Sequence, residues 1–257
     1  MTRSRFGTPG AFSRTASDYV ATMAPALAPV AAHVVRRAGL RPGETVLDVG
    51  TGTGTGARLA LGEGRRVIGL DAAAAMLEIA RADVPEAEFV EADFAHMPLV
   101  DGAVDVAIAV HALLFASDRV ATLAEWLRVT RPGGRLSISV PGPGDRVPAT
   151  VFGEIYDRYD VDWHPDDFPT LDQLSSWARD AGWIDVATDA DPTSAIRLAD
   201  EARFDAWLRF GFMTSDWAPA RLAEFKTELM ASAPREPDGT YRVPFGALFL
   251  TARRGDA

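Results

Sequence analysis

Between residues 30 and 140 the chain alternates short apolar runs with stretches whose apolar residues recur three or four positions apart. TVLDVG (45–50), RRVIGLD (65–71), AEFVEAD (87–93), AVDVAIAVHALLF (103–115) and GRLSISV (134–140) predict strands, most of them apolar on both faces. Val120, Leu123, Ala124 and Leu127 mark the buried stripe of a helix that precedes the turn RPGG at 131–134. Strands and helices in this rhythm predict a doubly wound α/β fold, with a mostly parallel sheet covered on both sides.

After Val140 the rhythm changes. PGPGDRVP (141–148) predicts a loop, ATVFGEIYDRY (149–159) an amphipathic helix and DVDWHPDDFP (160–169) an irregular acidic stretch. TLDQLSSWARDAGW (170–183) predicts a helix with Thr170 as N-cap and Gly182 at its end. Strands are expected at 184–188 and 194–199, helices at 201–213 and 218–232, and a last strand in TYRVPFGALFLTARR (240–254). There, Pro244 favours an edge or the early part. No internal repeat is visible. Residues 1–29 are expected to form a tail and helical cover, and 30–257 one domain with cap insertions at about 141–169 and 201–238. The opening MTRSRFGTPGAFSRT is basic and acid-free like a transit peptide, but lacks a secretory signal's apolar block and reads better as a frayed tail.

Composition narrows the chemistry. A chain of 257 residues, 47% hydrophobic, can bury one full core. Its net charge of −10 argues against a nucleic-acid partner, which needs clustered Lys and Arg, and favours a small-molecule substrate. With no cysteine, disulfides, thiolate metal sites and a cysteine nucleophile are excluded. No apolar run approaches the roughly 18 residues that span a bilayer, so a soluble, cytoplasmic protein is expected. Asp157, Asp160, Asp162, Asp166 and Asp167 lack the glycine and spacing of a calcium loop, and no metal is expected. The motifs G-x-S-x-G, H-E-x-x-H and the P-loop do not occur.

LDVGTGTGTGAR (47–58) places Gly50, Gly52, Gly54 and Gly56 between a strand and a helix. Bare amides and a helix's positive end then lie at the sheet's carboxyl edge, where doubly wound folds bind ligands. Tight strand-to-helix turns without a ligand share this pattern. Asp71 ends the second strand, 17 residues beyond Gly54, where a carboxylate accepts from ribose hydroxyls; it could instead cap the following helix. Asp93 ends the third strand, placed to accept from an exocyclic amino group with Phe94 offering backbone or ring to the base, or simply to form a turn.

VLDVGTGTG (46–54), VIGLDAAAAMLEIAR (67–81), FVEADFAHMPLVDGAVDVAIAVHALLF (89–115) and LRVTRPGGRLSISV (127–140) together resemble the class I S-adenosylmethionine-dependent methyltransferases, especially the small-molecule group similar to ubiquinone and sterol methyltransferases. The resemblance covers roughly residues 30 to 140 and keeps the family's motif order. It implies a seven-stranded Rossmann-like methyltransferase fold and S-adenosylmethionine as cofactor. It further implies that Gly50, Thr51, Gly52 and Gly54 hold the donor's methionine part, with Asp48 on the ammonium side. By the same resemblance Asp71 takes the ribose, Ala72 and Met76 line an adenine face, and Asp93 and Phe94 meet the adenine amino group. Val110 and His111 would sit below the sulfonium. Thr51 replaces the usual Cys, Ser or Ala, and a run of alanines stands where relatives often carry Ser and Pro.

Two other readings stay open. Gly52, Gly54 and Ala57 also satisfy G-x-G-x-x-A, so an NAD(P)-dependent oxidoreductase is an alternative, disfavoured by the acids Asp48 and Asp93 and by Lys226 being the single lysine. The other is a protein that binds S-adenosylmethionine without transferring methyl. His111 is the candidate general base, or else a structural histidine; His164 reads as a surface-loop residue. Phe152, Tyr156, Tyr159, Trp163, Phe168, Trp207, Phe210, Phe212 and Trp217 make the late insertions aromatic, suiting an apolar or aromatic methyl acceptor, although such spacing also describes a core. Tyr19 and Met23, in an expected N-terminal helix, would close the site from the other side or merely pack. Oligomeric state leaves no mark in the sequence.

Overall fold

The computed structural model describes residues 8–62, 64–142, 148–161, 168–191, 194–212 and 217–256. Helices α1 (Pro9–Arg14) and α2 (Ala16–Ala38) lead into β1 (Thr45–Val49), α3 (Thr55–Ala60), β2 (Arg66–Asp71), α4 (Ala74–Asp83), β3 (Glu88–Glu91) and β4 (Val104–Val110). A short 3-10 turn (Leu113–Phe115) precedes α5 (Arg119–Val129) and β5 (Thr130–Gly142). Then come α6 (Pro148–Arg158), α7 (Leu171–Asp180), β6 (Ile184–Asp191), β7 (Ala195–Leu198), α8 (Glu201–Phe212), α9 (Pro219–Ser232), β8 (Tyr241–Pro244) and β9 (Gly246–Arg253).

Seven strands form one sheet in the order β3-β2-β1-β4-β5-β9-β6. β3 to β5 run parallel, and β9 is antiparallel to both neighbours. Strand order reverses between β1 and β4, which opens a crevice beyond their carboxyl ends. The two-residue period of each strand feeds a separate core on either face. Val46, Val106 and Ile108 join Leu27, Val30 and Val34 of α2, while Leu47, Val49, Ala107 and Ala109 join Trp126 of α5 and Leu174 of α7. Thr170 and Gln173 form a reciprocal capping box at the start of α7, as its sequence predicts.

Three details depart from expectation. The RPGG turn lies inside β5 as a bulge: pairing passes from Val104↔Thr130 to Val106↔Arg135. The final strand is two strands, since β8 leaves the large sheet and pairs with β7 to make a small one, Pro244 opposite Ala195. α2 runs unbroken across the expected boundary at residue 29. Among the described residues, four rings of the late insertions belong to the main core. Phe152, Tyr156, Tyr159 and Trp207 are buried in the same core as Val34 and Phe249, because aromatic faces this large gain most when water is excluded from all sides. Trp163, His164, Asp162, Asp166 and Asp167 lie outside the described residues. No helix among the described residues is long and apolar enough to cross a membrane.

Candidate functional site

The glycine turn after β1 is braced from below and from the side. Asp48 at the end of β1 is only 1% exposed; its Oδ2 accepts from the Thr51 hydroxyl at 2.7 Å. Burial pushes its carboxyl up to about 7, against the opposing hydrogen bonds from Thr51 and the Ala57 amide. The carboxyl is thus sealed beneath the turn. A Cβ on Gly56 would fall 2.7 Å from Asp48 Oδ2, and one on Gly50 would fall 2.5 Å from Ala112 Cβ. These two glycines serve the chain's own packing. Gly54 likewise backs onto Val84 and Ala80.

Gly52 is different. Its φ is +55°, and a Cβ there would meet nothing nearer than the Tyr19 hydroxyl at 3.7 Å. Its backbone is therefore the open face of the turn, and its N–H donates to Asp71 Oδ2 at 2.8 Å. Asp71 Oδ1 accepts from the Ala73 amide at 2.9 Å, so this carboxylate ties the turn to the start of α4. Burial raises its pKa despite the amides of Ala73, Gly52 and Ala72. With three amides facing its four lone-pair sites, the carboxylate keeps room for a hydroxyl donor. Asp71 does not cap α4 as the sequence allowed: the N-cap is Ala73, which carries no side-chain cap bond, and at that helix Asp71 reaches only that residue's own amide.

The banks of the crevice are unequal. Ala72 is half-buried at the foot of α4, and Met76 is buried in a cluster with Ala16 and Ala73, against Phe12 and Tyr19 of the N-terminal helices. Asp93 is exposed: its Oδ1 accepts from the Ala95 amide at 2.8 Å, a turn-forming bond, and His96 stands 3.8 Å away. The Phe94 carbonyl accepts from the Trp126 indole at 3.0 Å, and the two rings meet edge-on at 6.2 Å. Across the mouth, Phe12 of α1 meets Phe115 edge-on at 5.1 Å and Phe210 of α8 at 5.9 Å, and Tyr19 meets Phe210 at 5.3 Å. Asp18 holds Arg209 through both carboxylate oxygens. Tyr19, Phe12, Phe115 and Phe210 thus form one set of ring contacts beside the glycine turn, in which Phe12 is marked by no motif. Burial and the nearby Asp71 and Asp48 hold the Tyr19 phenol above its ordinary range.

At the end of β4, half-buried Val110 pairs in register with Ser139 of β5. His111 follows with φ +59°, sparsely populated for a side-chain-bearing residue. The residue is buried, its Nδ1 lies 3.1 Å from Ser139 Oγ, and its Nε2 has no partner among the described residues. Burial pushes the imidazole down to about 4, so it stays neutral at pH 7. Phe245, linking β8 to β9, packs edge-on against it at 6.1 Å. Ser139 and Phe245 were not legible as site residues, although serines inside an apolar strand are a signal. Among the described residues no group of three or more His, Asp or Glu is assembled that could hold a metal ion.

Residues 47–138 match the family model described as a methyltransferase domain. A malonyl-acyl-carrier-protein O-methyltransferase of Serratia marcescens is 34% identical over 164 residues, covering 64% of this chain and 63% of that one. A demethylmenaquinone methyltransferase of Renibacterium salmoninarum is 29% identical over 175 residues, 60% of this chain and 72% of that one. Among solved structures, a Haemonchus contortus phosphoethanolamine N-methyltransferase 2 in complex with S-adenosyl-L-methionine is similar in fold, with a TM-score of 0.58 at 18% identity over 88% of this chain and 52% of that one. The match assigns residues 47–138 to a methyltransferase domain, and the seven-stranded sheet is that of the Rossmann-like methyltransferase fold. It spans about six-tenths of the length of the first curated relatives it matches.

Proposed function

We propose that the protein transfers a methyl group from S-adenosylmethionine to a small, apolar or aromatic acceptor. The observation that carries this reading is the open backbone at Gly52, held by Asp71 and roofed by Tyr19. That cradle suits an aminoacyl tail beside a ribose. When bound, the donor supplies an electrophilic methyl on a positively charged sulfur. The chain's residues then need only hold and align the reactants, because positioning supplies most of the acceleration.

Gly50, Thr51, Gly52 and Gly54 would hold the methionine part over the buried Asp48, and Asp71 would accept from the ribose hydroxyls. Ala72 and Met76 would line the adenine, with Asp93 and the Phe94 N–H reaching its edge. Val110 would flank the methyl, Tyr19 would cover it, and His111 would receive the acceptor's proton.

Calorimetric titration with S-adenosylhomocysteine and, separately, with NADH tests the donor assignment. Transfer of labelled methyl to a panel of phenols, quinones and amines tests turnover. Heat with adenosylhomocysteine and label in one acceptor are expected. Preference for NADH would favour the oxidoreductase, and cofactor binding with no transfer to any acceptor would favour a binding protein.

A further inference from the structure

Three features converge on His111. Its backbone is held in the left-handed region, with its N–H donating to the Ser139 carbonyl at 2.9 Å. That conformation, unfavourable for a side-chain-bearing residue, folds the imidazole back onto β5, where Ser139 is fully buried. Ser139 Oγ then lies 3.1 Å from Nδ1, whereas Nε2 is buried without a partner among the described residues. Buried polar atoms are nearly always paired, so an orphan beside a candidate site marks a place for a ligand atom.

The side of the ring that carries the proton follows from what faces it. Of the two ring nitrogens, Nδ1 faces the Ser139 hydroxyl and Nε2 faces no polar group among the described residues. The Ser139 hydroxyl can accept from Nδ1, and a buried N–H with no partner is costlier and rarer than a bare acceptor, so the hydrogen belongs on Nδ1 and not on the unpartnered Nε2. We infer that Ser139 is a positioning residue that fixes His111 as the Nδ1–H tautomer, leaving Nε2 as a bare acceptor for a neutral phenolic hydroxyl of the methyl acceptor.

The chemistry of that acceptor follows from the surroundings of Nε2. An ammonium would have to shed its water beside a sealed imidazole and the Phe245 ring, with little to offset the loss. A carboxylate would set lone pair against lone pair. A hydroxyl supplies the missing hydrogen without bringing charge, and among hydroxyls a phenol's proton is the one a weak base moves most readily. The inference rests on the methyltransferase reading for its site, while the tautomer itself can be read without turnover.

The test is long-range nitrogen–proton NMR on the full chain labelled at its four histidines. The His111 signals are assigned through His111→Gln or, should that variant not fold, by elimination from His33→Gln, His96→Gln and His164→Gln. Wild type should show a protonated Nδ1 and a pyridine-like Nε2, and added phenol, but not toluene, should move the Nε2 signal upfield. Ser139→Ala should mix the two tautomers, and Ser139→Thr should restore the single one. A hydrogen on Nε2 in wild type, or an Nε2 signal indifferent to phenol, overturns the inference. Adenosylhomocysteine binding by the same sample separates the two readings: heat of binding with a failed NMR result sinks only the Ser139 assignment.

Discussion

Asp48→Asn isolates the energetics of the sealed carboxyl beneath the glycine turn. The group's ordinary pKa is 3.8, and burial raises it to about 7 in the folded protein. Between those values the folded protein keeps a proton that the unfolded chain has released. Stability contributed by the protonated form is therefore complete below about pH 4, falls as pH rises toward 7, and is level above it. A shift of about three units corresponds to about 4 kcal/mol across that window. Asparagine has the same shape and never ionises. Its carbonyl can accept from the Ala57 amide and its amide can donate to the Thr51 hydroxyl, which turns to accept. Urea unfolding of both proteins at a series of pH values should show the variant gaining about 4 kcal/mol on wild type between about pH 4 and pH 8, since other titrating groups cancel in the difference. Parallel profiles would refute the reasoning, because they would mean that Asp48 ionises as it does in water.

Gly52→Ala should cost only about 1 kcal/mol of stability through its left-handed backbone, yet weaken adenosylhomocysteine binding. Gly56→Ala should do the reverse, destabilising by about 2 kcal/mol or more as the added methyl meets Asp48, both read by thermal unfolding and calorimetry. Asp71→Ala removes the acceptor of two backbone amides and should weaken cofactor affinity by about 1–3 kcal/mol; an unchanged dissociation constant in a folded variant would contradict the ribose assignment. Phe12→Ala deletes two ring pairs that hold α1 across the mouth, about 1–2 kcal/mol of docking, so amides of α1 should exchange with solvent roughly tenfold faster or more. Unaltered exchange there would show that α1 is held by other contacts.

What was legible depended on how local the cause was. β1, β2, β4 and β5 announce themselves because a strand buried on both faces needs an unbroken apolar run, and Thr170 announces α7 because its cap bond is to its own third neighbour. The partner of β8 was hidden, since Pro244 signals a break but not that the freed half pairs with Ala195–Leu198. Aromatic spacing in Phe152, Tyr156 and Trp207 is the same for a pocket wall and for a core, and packing decided for the core. At the site, Gly50, Gly52 and Gly56 look alike in sequence. Only neighbours distant along the chain, Ala112 and Tyr19, distinguish a glycine that spares its own fold from one that leaves backbone uncovered. His111 and Ser139 are joined across two strands by register, which no local pattern encodes.

Strand β9 is synthesised after every other strand and yet is threaded between two of them, β5 and β6. Until it emerges from the ribosome, β6 has no hydrogen-bonding neighbour in the large sheet and β5 offers an open edge. Nascent chains stalled before residue 246 are thus left with half-built β-structure, and the closing strand acts as a zip that ends the interval in which those edges stand open to other chains.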